Sequence, residues 1–252
     1  MSSPRASSKR RSLVAEPATL ARPKKRPFSS QARQNTLEYI ERFSARSESS
    51  GSNARGGGYQ TQTDGMIMAK LRQAVIDSSM HRAEACSALR SFIIAYGVSR
   101  TFAGLREDNA AVKLAPLLSH LRKRWPILQQ LEHPDDIVRE VDDLTQICFD
   151  AGFNRNISFA TKALCMLSLP VPIYSSEGKA YLRLSASAPF KEYQAAWMAK
   201  YFEERAEYEA AAAECMPQIA QATPSGMPVP SAEWFGMRGL DIHMLAVGGP
   251  MR

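Results

Sequence analysis

The stretch Gly152-Phe153-Asn154-Arg155-Asn156-Ile157-Ser158-Phe159-Ala160-Thr161-Lys162-Ala163-Leu164-Cys165-Met166-Leu167-Ser168-Leu169-Pro170-Val171-Pro172-Ile173-Tyr174-Ser175 decides how the rest of the chain is read. From Ile157 to Leu169 it is apolar nearly all round, broken only by Ser158, Thr161, Lys162 and Ser168. A helix without a polar face is a central, buried one. Gly152 and Asn156 bound a short polar loop on its upstream side, and Pro170 and Pro172 stop it downstream.

Working outward, the segment before the loop also has helical periodicity. Pro134-Asp135-Asp136 opens a helix with acids in its first turn, and Ile137, Val141, Leu144, Ile147 and Cys148 carry its apolar stripe to Gly152. Farther upstream, the spacing predicts a helix from about Asn109 to Trp125. It closes on Arg122-Lys123-Arg124 before Pro126, where cations complement the helix dipole. A long helix is predicted over Met66 to Ala95, with a break near Ser78-Ser79. Downstream, Ser175 to Leu184 reads either as a helix start or as a hairpin turning at Ser176-Glu177-Gly178-Lys179. An amphipathic helix then spans about Pro189 to Gln218, residues 224–230 form a Pro-rich linker, and Glu233 to Val247 is a last helix. The expected fold is all-α, a single multi-helix domain over residues 63–252.

Residues 1–62 read differently. They are rich in Ser, Arg and Gly and poor in apolar residues, a composition that cannot offset the entropy of ordering a packed fold. Residues 1–55 carry a net charge of +8 and the remaining chain −1, so the +7 of the whole chain belongs to this basic arm. The arm is read as mostly disordered. The exception is Asn35 to Phe43, where Leu37, Ile40 and Phe43 recur at helical spacing and predict a short helix that forms against a partner. Lys24, Lys25 and Arg26, between Pro23 and Pro27, form a compact basic patch. It reads as a solvated tail, a nuclear-targeting or nucleic-acid contact, or part of a Ser-rich export signal of the type III secretion kind.

Several function classes are disfavoured. No apolar run approaches the roughly 18 residues that span a bilayer, and no signal peptide follows the basic start. Cys86, Cys148, Cys165 and Cys215 are far apart, with neither a C-x-x-C pair nor adjacent histidines, so no metal, cofactor or disulfide framework is expected, and a reducing cytoplasmic setting follows. His81, His120, His133 and His243 are scattered without ligand spacing. The stripe Tyr193, Trp197, Tyr201 and Tyr208 reads as core before it reads as a base-stacking surface.

Lys162 stands out, a single cation on the most apolar helix. Burial disfavours its ammonium form and makes the amine a usable nucleophile; the competing reading is a lysine that snorkels to the surface over an apolar stem.

The stretch 152–175 resembles bacterial helical proteins related to the helix-hairpin-helix DNA glycosylases, in particular the 8-oxoguanine DNA glycosylases. In that family a hairpin precedes a helix bearing the catalytic lysine, and a Pro-Val segment downstream leads to the catalytic aspartate. Lys162 falls at the lysine position, and Arg238-Gly239-Leu240-Asp241-Ile242-His243-Met244-Leu245 looks like the closing helix. The resemblance implies a helix-hairpin-helix glycosylase-like fold and attack of Lys162 on C1′ of a flipped or abasic nucleotide, with Tyr174 and Phe153 lining the pocket. Two positions depart from the pattern: Ser175 stands where the aspartate belongs, with Glu177 two residues on, and the hairpin has one glycine, Gly152.

The implied role is therefore a DNA-associated protein related to base-excision glycosylases with an altered or lost active site. Lys162, Tyr174 and Ser175 are its catalytic positions. Asn154, Arg155, Asn156, Lys179 and Arg183 would contact DNA, with Lys24, Lys25 and Arg26 of the arm. The alternative is a non-enzymatic interaction protein, such as a bacterial effector secreted into a host cell, whose arm is an export or targeting signal and engages a protein partner.

Overall fold

Helices terminate where the sequence removes their hydrogen-bond partners, and the computed structural model shows this at each boundary around residues 152–175. It describes residues 30–44, 64–98, 102, 104–105, 109–131, 133–167, 169–223 and 229–248. Among these residues all regular structure is helical: α1 (Ser30–Ser44), α2 (Asp64–Ile76), α3 (Arg82–Ala95), α4 (Ala110–Leu128), α5 (Pro134–Asp150), α6 (Ile157–Met166), α7 (Ser176–Tyr181), α8 (Phe190–Ala222) and α9 (Ala232–Gly248). The patch Lys24, Lys25 and Arg26 lies outside the described residues, as does most of the Pro-rich linker.

The turn between α5 and α6 is built by Gly152. Its φ of +83° lies in the left-handed region that glycine enters without a Cβ clash. Gly152 N–H donates to Phe149 O and Phe153 N–H to Cys148 O, both at 3.0 Å, the paired bonds that close a helix C-terminus. Asn156 then starts α6, its side-chain oxygen accepting from Phe159 N–H at 2.9 Å. Phe153 turns into the core against Phe102, with ring centroids 4.6 Å apart.

As the sequence predicts, α6 is central. Phe159, Ala160, Ala163, Leu164 and Met166 are each 0% exposed, and α6 packs against α5 and α2. The expected helix over 66–95 is two, α2 and α3. Asp77 accepts from Ser79 N–H at 2.9 Å at the break, and Arg122 donates to Ala74 O at 2.8 Å and Asp77 O at 3.0 Å at the end of α2. Arg122 thus caps α2. It does not complement the end of its own helix, because α4 runs past Pro126 to Leu128, whose side chain is fully buried. Arg124 of the same basic trio reaches Glu140 on α5 (2.8 Å), which also bonds His120 Nε2 (2.7 Å).

The largest difference from the sequence reading is α1. Tyr39, Ile40 and Phe43 are 1%, 3% and 4% exposed, and they pack on α8 and α9. The partner of this helix is the chain itself. Phe43 meets Phe235 edge-on at 5.0 Å, and Asn35 Nδ2 lies 2.9 Å from His243 Nδ1. Gly239 allows the approach, since a Cβ there would stand 2.3 Å from Thr36 Oγ1.

Residues 176–181 resolve the second ambiguity in favour of a helix, capped by Ser175. The stripe Tyr193, Trp197, Tyr201 and Tyr208 is core, each residue at most 1% exposed.

Candidate functional site

A cleft of about 600 Å³ opens where α1, α6, α7, α9 and the end of α3 meet. Lys162, Tyr174, Ser175 and Asn156 line it, together with Tyr39, Tyr96, Ser158, Glu177 and Arg238. Residues far apart in the chain therefore face one space, 123 positions from Tyr39 to Lys162 and 76 from Lys162 to Arg238.

Lys162 sits one turn into α6, half-buried, and its Nζ donates to Tyr96 O at 3.1 Å. Burial lowers its pKa below the usual lysine range, and the nearby charge of Arg238 lowers it further; Glu177 opposes both. The amine thus releases its proton more easily than a surface lysine does.

The strand-like segment after Pro172 is fixed on both sides. Tyr193 OH donates to Ile173 O at 2.7 Å, Ile173 N–H donates to Asp241, and Tyr174 N–H donates to Thr161 Oγ1 at 3.2 Å. Tyr174 consequently faces the cleft at a set angle, with Lys179 Nζ 4.6 Å above its ring. Ser175 has extended backbone and its Oγ accepts from Gly178 N–H at 2.9 Å. That is an N-cap bond, which an aspartate at the same position makes equally well.

Behind the cleft, Arg238 and Asp241 of α9 form an ion pair whose side chains are each 4% exposed. Asp241 also accepts from Trp197 Nε1 at 3.0 Å. Burial pushes the Asp241 carboxyl up to about 6, against the opposing pull of Arg238 and Trp197. The guanidinium lies 5.2 Å over the ring of Tyr39. Its Nε is buried without a hydrogen-bond acceptor.

The remaining expected contacts do not converge here. Asn154 and Arg155 are exposed on the α5–α6 turn, where Arg155 donates to Gln146 Oε1 at 2.8 Å and covers the Phe149 ring at 5.2 Å. Arg183, with φ of 57°, belongs to a separate shallow depression beside Lys200 and Glu203. Phe153 does not line the pocket, because the Gly152 turn directs it into the core. Among the described residues no group of three or more His, Cys, Asp or Glu side chains is arranged to hold a metal ion, and no helix is long and apolar enough to cross a membrane.

Sequence reasoning missed Tyr39, Tyr96 and Arg238. Arg238 had a signal, a cation on an apolar helix three residues before an acid. The tyrosines had none, since only the tertiary packing of α1 and α3 brings them to α6.

No family model, curated protein or solved structure matches the chain.

Proposed function

We propose that the chain is a DNA-associated helical protein with a helix-hairpin-helix glycosylase-like layout, whose cleft receives an abasic or extrahelical nucleotide and whose active site is altered. The observation that supports this reading is the half-buried Lys162 amine, lowered in pKa, in one cleft with Tyr174 and Ser175. A neutral amine adds to the C1′ aldehyde of an abasic sugar and expels water, leaving an imine. Excision of an intact base asks for more. It needs a carboxylate near C1′ to stabilise the developing positive charge, and Ser175 cannot supply it. The altered site therefore suits an aldehyde that is already free.

The test is borohydride trapping of the full chain on duplexes carrying an abasic site or 8-oxoguanine, beside Lys162→Gln and Ser175→Asp. The expected result is a covalent adduct on the abasic duplex alone, absent in Lys162→Gln. Ser175→Asp, which keeps the α7 cap, should extend reactivity to the damaged base. No adduct on any duplex overturns the reading and leaves Lys162 a packing residue in a protein-interaction module, such as an effector.

A further inference from the structure

The outer face of α8 is apolar where a surface helix ordinarily carries its charges. Ala195, Ala199, Phe202, Ala206, Ala210 and Ala213 are all exposed, Phe202 at 60%. The six repeat every eleven residues, Ala195 with Ala206, Ala199 with Ala210 and Phe202 with Ala213. Eleven residues make three turns of about 3.67 residues, close to the helix's own 3.6 or so, and the row therefore runs nearly straight along α8. At about 100° per residue it fills a stripe roughly 80° wide, with no charged residue inside it between Ala195 and Ala213. Single exposed apolar residues are ordinary on a protein surface, whereas a contiguous strip around an exposed aromatic ring marks a contact face.

The two edges of this strip complement each other. Glu192, Glu203 and Glu214 follow one edge, and Lys191 and Arg205 follow the other, where Glu209 is already held by Arg205 at 2.6 Å. Lys191 also pairs with Asp135 (2.9 Å), Glu203 with Lys200 (3.1 Å) and Glu214 with Arg33 (2.8 Å), exposed contacts of the kind that exchange partners at little cost. Beyond the acidic edge, Ala196, Ala199, Lys200 and Glu203 line the shallow depression walled by Tyr181 and Leu182. Their spacing, i, i+3, i+4 and i+7, is that of the four-residue hole that receives one side chain from a facing helix. One face of α8 thus carries a protruding ring at its basic edge and a hole at its acidic edge.

We infer that the occupant of this face is α8 of a second copy of the chain, lying parallel to the first about a two-fold axis that runs along the helices. Such a contact is self-complementary, each copy giving what the other receives. Rotation about that axis sets the basic edge of one copy against the acidic edge of the other, whereas an antiparallel pair would set like edges together. It also turns Phe202 toward the second copy's depression. The hole is centred two to three residues before Phe202, about 4 Å along the axis, and a long side chain on a helix leans in that direction, toward the N-terminus. The alanines on either side present no bulk, so the two helices can approach to the short end of the usual 8–10 Å or so between axes.

Sedimentation velocity of the full chain over about a hundredfold range of concentration tests the pairing. The expected result is a reversible dimer whose dissociation constant rises at least tenfold in Phe202→Ser and in Ala206→Glu. Both positions are exposed in the single chain, so both variants should keep the wild-type circular dichroism spectrum. Direction is read by oxidation of Ala195→Cys and Ala213→Cys, with wild type as control, because Cys86, Cys148, Cys165 and Cys215 are all buried. In a parallel pair equal positions meet across the axis, and each variant should form a disulfide with itself. A chain that stays monomeric throughout overturns the inference and leaves the face to a different protein. A dimer indifferent to both Phe202→Ser and Ala206→Glu overturns it by placing the contact elsewhere. Disulfides that form only when the two cysteine variants are mixed overturn it in favour of an antiparallel pair.

Discussion

Tyr39 supports the guanidinium of Arg238 on its ring at 5.2 Å, so a residue from the nominally flexible arm holds a charged group at the floor of the cleft. Tyr39 also packs against Trp234 and Phe235, with centroids at 6.1 and 6.3 Å. The arm and the site are therefore structurally coupled.

Truncation will show this coupling. Removal of residues 1–28 leaves α1 whole and serves as the reference. Removal of residues 1–58 strips Tyr39, Ile40 and Phe43 from α8 and α9 and should cause aggregation or a large fall in midpoint. Tyr39→Ala alone should cost about 3–5 kcal/mol, the usual range for deleting a large buried aromatic. Scanning calorimetry and gel filtration of the three proteins check it. An apolar surface that tolerates loss of α1 without change would contradict the packing seen here.

How far the sequence could be read depended on the range of the forces involved. Local signals worked well: Gly152, Asn156 and Pro134 marked the ends of α5 and α6, and the all-round apolarity of Ile157 to Leu169 identified the buried helix. Pro126 misled, because burial of Leu128 outweighs the lost hydrogen bond and carries α4 onward. The isolated motif in Asn35 to Phe43 was visible, but its docking site lies about 200 residues away in sequence, and composition averaged over the arm hides a fifteen-residue helix. For the same reason Lys162, Tyr174 and Ser175 were legible as one group, all within 25 residues, whereas Tyr39, Tyr96 and Arg238 were not.

The depressed pKa of Lys162 makes a signed prediction. A base whose pKa is lower in the folded than in the unfolded chain adds stability fully above the unfolded value, 10.5, and loses it as pH falls through the folded value. Wild type should therefore gain stability relative to Lys162→Met as pH rises from 7 toward 10. Melting curves of both proteins across that interval test it, and parallel curves would mean that Lys162 titrates as an exposed amine.

Glu140 behaves in the opposite range. Burial opposes its ionisation, but hydrogen bonds and charge from His120 and Arg124 outweigh burial and hold the carboxyl below its usual 4.5. Its stabilisation is complete above that value and is lost as pH falls through the folded one. Glu140→Gln should cost about 1–3 kcal/mol at neutral pH, the range for hydrogen bonds to a buried charged group. The gap to wild type should narrow as pH falls below 4.5. Denaturant unfolding over a series of pH values from 7 down through that range measures it. A gap independent of pH would show that the α4–α5 contact rests on shape and not on charge.

The geometry of the cleft wall depends on Gly178. A Cβ at this position would lie 2.3 Å from Tyr193 OH and 3.1 Å from Ser175 Oγ, and Tyr193 is 1% exposed, so the ring has no free space to retreat into. Gly178→Ala should displace Tyr193 from Ile173 O, loosen the Ser175 cap and release the segment that orients Tyr174. The stability cost should be about 1–3 kcal/mol, as for other overpacked sites. Because burial on α6 is the leading cause of the lowered Lys162 pKa and Glu177 of α7 only opposes it, the variant should keep the amine below the usual lysine range. A pH profile of Lys162 labelling that matches wild type, together with a lower thermal midpoint and faster hydrogen exchange at residues 173–178, is the expected combination. A shifted labelling profile would show instead that α6 and α7 respond as one unit.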